Sequence, residues 1–257
     1  MNGIERITAA FAGKKTAFMP YTPLGYPTMD GSLDVVRTLV KAGADLIEIG
    51  IPFSDPLADG PTVQAATQRA LENGITLAKC LAMVKQLRNE GIDTPFMLMG
   101  YINPFLAFGL DRLAETSLEA GVDGFIVPDL PPEEAADFET FCARNGQALI
   151  YLLAPTSTPE RIKLISEKSQ GFIYLVSLTG VTGARDQLSQ GLPDFLKRVR
   201  AHTDKPLAVG FGIGNGAQAG QVAQYADGVI VGSALVRAAG ESLEAVHTLA
   251  AEIAAAL

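Results

Sequence analysis

Short apolar runs alternate along this chain with longer stretches in which apolar positions return every three or four residues. The first pattern predicts buried strands and the second amphipathic helices. A leading helix over 4–11 precedes a strand at 16–21. A helix following Ser32 places Val35, Val36, Leu39 and Val40 on one face and ends at Gly43, after which 46–49 reads as the second strand. Two helical segments, 63–71 and 77–88, come next, so this connection carries an insertion. Further strands are predicted at 96–99, 124–127, 148–153, 172–176, 207–209 and 228–231, with helices in the gaps and a last helix over 241–256.

Eight strands, each followed by a helix, in 257 residues predict an α/β fold: a (β/α)8 TIM barrel with an extra N-terminal helix and an inserted helix after strand two. A doubly wound sheet shows the same alternation and is the alternative. The segments AGADLIEIG, AGVDGFIVP and YADGVIVGS favour the barrel, because in each a helix ends, an Asp turns the chain and an apolar strand follows. No linker, low-complexity tract or charge run divides residues 1–257, which are expected to form one domain.

Composition narrows the function. A net charge of −8 and a pI near 4.8 argue against nucleic acid as the main partner. Cys80 and Cys142 lie far apart inside helical patterns and read as reduced, buried thiols. The first residues carry mixed charge and no long apolar core, and no later run is long enough to span a bilayer. A soluble, cytoplasmic protein is therefore expected.

The chemistry concentrates in 45–62, DLIEIGIPFSDPLADGPT. Glu48 stands in the middle of an apolar strand, where an unpartnered ionised carboxylate costs several kcal/mol. Period-2 geometry puts Leu46, Glu48 and Gly50 on one face and Ile47 and Ile49 on the other. The branched pair suits the helix layer, so Glu48 is expected inside the barrel near its C-terminal mouth, where active sites of this fold lie. Burial should raise its pKa and suit it to proton transfer. Asp59 follows on the loop, before Gly-Pro at a helix start, where the dipole should favour the ionised form. His202 and His247 both fall in helical patterns, so no Ser-His-Asp set can be assembled, and metal-ligand spacing is absent. Carboxylates and Tyr174 remain as acid-base groups.

Two Gly-rich segments, 210–216 after strand seven and 232–234 after strand eight, offer free backbone N–H groups at helix starts, an anion cradle where barrels bind phosphate. Tight turns are the plain alternative. A dinucleotide fingerprint is rejected, because no βαβ unit large enough follows. The polar connection 177–189 after strand six reads as a lid. Together these features predict a metal-free enzyme that handles a phosphate-bearing substrate by general acid-base chemistry.

IEIGIPFSDPLADGP resembles the hallmark segment of the tryptophan synthase α subunit family. Tyr174 with Ser177, Gly180-Val181-Thr182-Gly183, Gly210-Phe211-Gly212-Ile213 and Gly232-Ser233-Ala234 follow in the family's order. The resemblance spans the chain. It implies a lyase that cleaves indole-3-glycerol phosphate into indole and glyceraldehyde 3-phosphate, with Glu48 as the acid-base residue. Asp59 would hold the indole N–H, with Tyr174 beside Glu48. Gly183, Phe211, Gly212, Gly232 and Ser233 would bind the phosphate, and Thr182 on the lid would meet Asp59. It further implies a β subunit, carrying the pyridoxal phosphate that this chain lacks, docked at Asp55, Pro56 and Asn103 in an α2β2 tetramer. The chain departs from some relatives at Tyr26 and Leu178. A stand-alone lyase releasing free indole, or a non-catalytic regulator of a β subunit, are the competing expectations; the presence of both Glu48 and Asp59 counts against the second.

Overall fold

The computed structural model describes residues 1–13, 16–176, 191–210 and 212–257. Its strands are β1 (Ala17–Pro23), β2 (Ile47–Gly50), β3 (Phe96–Met99), β4 (Gly124–Ile126), β5 (Ala148–Ile150), β6 (Leu152–Leu153), β7 (Ile173–Val176), β8 (Leu207–Gly210) and β9 (Gly228–Val231). All observed pairings are parallel, in the order β5-β4-β3-β2-β1-β9-β8-β7-β6. The two ends of that list are halves of one stave. Tyr151 interrupts it because its N–H goes to Ser169 Oγ (3.2 Å), while its carbonyl still accepts from the Tyr174 N–H (3.2 Å). The ring closes through this stave, as expected for an eight-fold barrel.

Alternation along the strands sorts the side chains into two layers. Met19, Leu46, Met97, Ile126, Ile150 and Ile230 form a cluster inside the ring, whereas Ile47, Ile49 and Leu98 join the larger cluster under the helices. The outer layer holds α2 (Met29–Lys41), α3 (Pro61–Glu72), α4 (Leu77–Asn89), α5 (Ile102–Phe108), α6 (Leu110–Ala120), α7 (Ala136–Asn145), α8 (Pro159–Lys168), α9 (Leu192–Arg200), α10 (Gly216–Val222), α11 (Ser233–Glu241) and α12 (Leu243–Ala255). The leading helix α1 (Gly3–Phe11) plugs the N-terminal end: Ile7 belongs to the interior cluster, and Phe11 packs on Phe172 with ring centroids 5.7 Å apart.

The repeated Asp does more than turn the chain. Asp45, Asp123 and Asp227 each accept the backbone N–H that opens the neighbouring strand segment: Phe18 at 2.9 Å, Phe96 at 2.7 Å and Leu207 at 2.8 Å. In return each Asp donates its own N–H to the carbonyl of the same residue. The three repeats thus pin strand register along the lower rim.

Some boundaries shift from expectation. The second helix starts at Met29, because Thr28 caps it and Ser32 is spent inside, donating to the Met29 carbonyl and accepting from the Gly25 N–H. The last helix starts at Leu243, since Ser242 caps it and separates it from α11. His202 lies in an exposed turn after α9, not in a helix. Cys80 and Cys142 are free and buried. Among the described residues no helix is long and apolar enough to cross a membrane.

Candidate active site

Glu48 lies in β2, paired in register with Tyr21 on one side and Met97 on the other. It is 0% exposed, and neither carboxylate oxygen has a hydrogen-bond partner among the described residues. Burial alone raises its pKa well above the ordinary carboxylate value. Burial without a partner favours the neutral acid over the carboxylate.

Asp59 occupies the loop between β2 and α3. Gly60, not Asp59, is the N-cap residue of α3, and burial raises the Asp59 pKa against the opposing hydrogen bond from Tyr101. Tyr101 supplies the contact that works against burial: its Oη accepts the Ala58 N–H at 2.9 Å and donates to Asp59 Oδ2 at 3.1 Å.

Tyr174, on β7, is buried beside both acids. Burial raises its pKa most, followed by Glu48, Asp59 and Tyr21. Tyr21, on β1, is similar: burial raises its pKa first, then Asp59, Tyr101 and Glu48, against a hydrogen bond with Thr67. Two phenols therefore feel both carboxylates. Glycines make room for them. A Cβ at Gly50 would lie 2.7 Å from Tyr21 Cζ, and one at Gly210 would lie 2.5 Å from Tyr174 Oη.

Sequence reasoning missed Tyr21 and Tyr101. Tyr21 shares inward parity with Ala17 and Met19 and sits near the C-terminal end of its strand, which could have flagged it. Tyr101 follows β3 by two residues, an aromatic at a catalytic-face strand end.

Gly232 and Ser233 begin α11, whose N-terminus has no side-chain cap. A Cβ at Gly232 would come no closer than 3.6 Å, to Tyr21, which places this helix start beside that phenol. Gly212 has φ +77°, a left-handed backbone that suits glycine. The expected cradle over 210–216 is narrower than its glycines suggest. Gln218 Oε1 accepts the Gly214 N–H at 2.7 Å and Glu252 Oε1 accepts the Gly216 N–H at 2.8 Å, so neither amide is free for an anion. Phe211, Gly183, Thr182 and the lid over 177–189, with Ser177 and Leu178, lie outside the described residues.

Asp55 is exposed and Pro56 half-buried on the Asp59 loop; Asn103 is exposed on the first turn of α5. On the same two segments Leu57 is 93% exposed and Leu106 53% exposed. Tyr101, the N-cap residue of α5, ties the two segments together through Ala58. Both histidines are exposed and far in sequence from the strand ends that carry the acids. Among the described residues no group of three or more His, Cys, Asp or Glu side chains could hold a metal ion.

A family model described as "Tryptophan synthase alpha chain" matches residues 7–256. The chain is 52% identical over 237 residues to the tryptophan synthase alpha chain of Roseiflexus sp. (strain RS-1), covering 91% of each protein. Among solved structures, the alpha chain from Legionella pneumophila subsp. pneumophila superposes with a TM-score of 0.91 at 38% identity, covering 100% of this chain and 97% of that one. A Mycobacterium tuberculosis tryptophan synthase structure gives 0.89 at 42% identity, with 99% and 96% covered.

Proposed function

The chain belongs to the tryptophan synthase alpha chain family, and from that premise we propose that Glu48 and Asp59 are the two acids of its lyase reaction. The enzyme cleaves the carbon–carbon bond of indole-3-glycerol phosphate, giving indole and glyceraldehyde 3-phosphate for L-tryptophan biosynthesis.

In the proposed mechanism neutral Glu48 gives its proton to indole C3. The ring becomes an indolenine, and positive charge gathers at its nitrogen. Ionised Asp59 accepts the N–H there and stabilises that charge in a site with little water. Glu48, now a carboxylate, takes the proton from the side-chain hydroxyl. That oxygen becomes the aldehyde carbonyl, the carbon–carbon bond breaks, and its electron pair returns to the ring as indole leaves. The proton ledger closes, because the hydroxyl proton replaces the one spent on C3 and restores neutral Glu48. Tyr174 packs beside Glu48. Gly212, Gly232 and Ser233, with Phe211 and Gly183, receive the phosphate.

The observation that carries this reading is the fully buried Glu48 carboxylate, neither oxygen of which is hydrogen-bonded to a described residue. Most structural carboxylates at that depth are paired. Glu48→Gln is the test: it should lower turnover at least about 10²-fold with substrate binding kept. Near-normal cleavage by the variant would reject the assignment.

A β subunit is the partner that the family implies, and we place its contact on Asp55, Pro56 and Asn103. Leu57, left 93% exposed at this face, supports a partner that covers it. The same reading gives an α2β2 tetramer with pyridoxal phosphate in the β subunit only, a cytoplasmic location, and one domain over residues 1–257. For the single domain, β1 pairs with both β2 and β9, so the two halves of the chain share one ring.

A further inference from the structure

Tyr101 makes no part of the chemistry above, yet its hydroxyl is placed between two points of the Asp59 loop. It accepts the Ala58 N–H at 2.9 Å and donates to Asp59 Oδ2 at 3.1 Å. The ring is braced on both sides of that hydroxyl. It packs on Phe53 with centroids 5.6 Å apart, and the backbone beyond it is fixed by Asp129 Oδ1, which accepts the Ile102 N–H at 2.9 Å. A loop rich in Pro and Asp has few contacts of its own to hold one carboxylate in one place, whereas a phenol on the rim of the next strand is rigid.

We propose that Tyr101 is the positioning residue for Asp59, locking the loop main chain and one carboxylate oxygen so that the other oxygen is presented to the indole N–H. The inference rests on the Glu48–Asp59 reading. It assigns Tyr101 no contact with the reacting atoms. Because the phenol donates to Asp59, it stabilises the ionised carboxylate that burial disfavours. The other titratable groups facing Asp59 are Tyr21 from β1 and Tyr174 from β7. Both are neutral phenols over the working pH range.

Tyr101→Phe keeps the ring and its packing on Phe53, and removes both hydrogen bonds. Measured on the chain in complex with its β subunit, kcat for cleavage should fall about tenfold with KM nearly unchanged. The acidic limb of the kcat/KM profile should move to higher pH, since Asp59 then holds its proton longer. In an Asp59→Asn background the same change should cost less than about twofold. Fluorinated tyrosine at position 101, a stronger donor, should move the acidic limb the other way, and it serves if Tyr101→Phe folds poorly. An unmoved limb, or an equal loss in both backgrounds, would overturn the inference while leaving Asp59 in its role. Wild-type kcat in Asp59→Asn alone would remove the reading itself, and the inference with it.

Discussion

Glu48 and Asp123 are both 0% exposed carboxylates of the same barrel, and they stand in opposite chemical states of completion. Asp123, before β4 at the lower rim, accepts from Arg88 at 2.5 Å, from the Phe96 N–H at 2.7 Å and from Arg6. Burial works to raise its pKa, and the two guanidinium groups and the amide work against that. Glu48, toward the upper mouth, has no hydrogen-bond partner among the described residues. Depth therefore does not distinguish a structural acid from a functional one. What separates these two is satisfaction: Asp123 is surrounded by donors, and Glu48 is left without them among the described residues.

Breaking the lower site should give the largest effect. Asp123→Ala would strand Arg88, only 14% exposed, beside Arg6 with their common counter-ion gone, and would release the β3 N–H. Removing one partner of a buried pair costs about 3–5 kcal/mol. Denaturant melts should show that loss, whereas kcat per folded molecule should stay near wild type. A large drop in kcat with stability unchanged would reverse the assignment of roles.

Glycines at the two ends sharpen the contrast. At the mouth, Gly232→Asp has room for its Cβ, 3.6 Å from Tyr21, but carries a negative charge to where the substrate phosphate should lie. Substrate binding should weaken by roughly 2 kcal/mol or more, measured by titration, with thermal stability nearly kept. If dephosphorylated substrate binds the wild type as well as the phosphorylated one, no phosphate cradle exists. At the base, a Cβ on Gly3 would lie 2.7 Å from Asp123 Cα, so Gly3→Ala should displace α1 and cost about 1–3 kcal/mol of stability with kcat intact.

What the sequence disclosed follows the same division. Glu48 was legible because a charge inside an apolar run contradicts its surroundings, and parity alone gave it the inner face. The Asp of each repeat was visible as a turn. Its true work, accepting an N–H from the neighbouring strand, was not, because Phe18 and Phe96 lie 27 residues before Asp45 and Asp123. Tyr101 stayed hidden for the same reason: its carboxylate partner is 42 residues away. The glycine loop misled in the opposite direction. Seven residues looked free to bind an anion, and two of their amides are spent on Gln218 and Glu252, side chains whose reach only the packed helices define. Local pattern thus finds conflict and turn chemistry, while pairing across the barrel needs the fold.

The smallest effect expected is also the most direct reading of Glu48's incomplete state. Its folded pKa is raised above the ordinary value of 4.5. Between those two values the native state holds a proton that the unfolded chain has lost, so stability falls as pH rises through that window. Below the ordinary value both states are protonated and no difference arises; above the raised value both are ionised and the penalty is constant. Glu48→Gln has no proton to lose. Its own buried amide adds an offset that does not vary with pH. The difference in Tm between variant and wild type, measured on ligand-free protein, should therefore grow in the variant's favour from about pH 4.5 upward and then level off. A change of at least about 2 °C across that range corresponds to roughly 1 kcal/mol in a domain of this size. A Tm difference that is flat with pH, or that moves in favour of the wild type, would mean that Glu48 has found a partner and is complete without substrate.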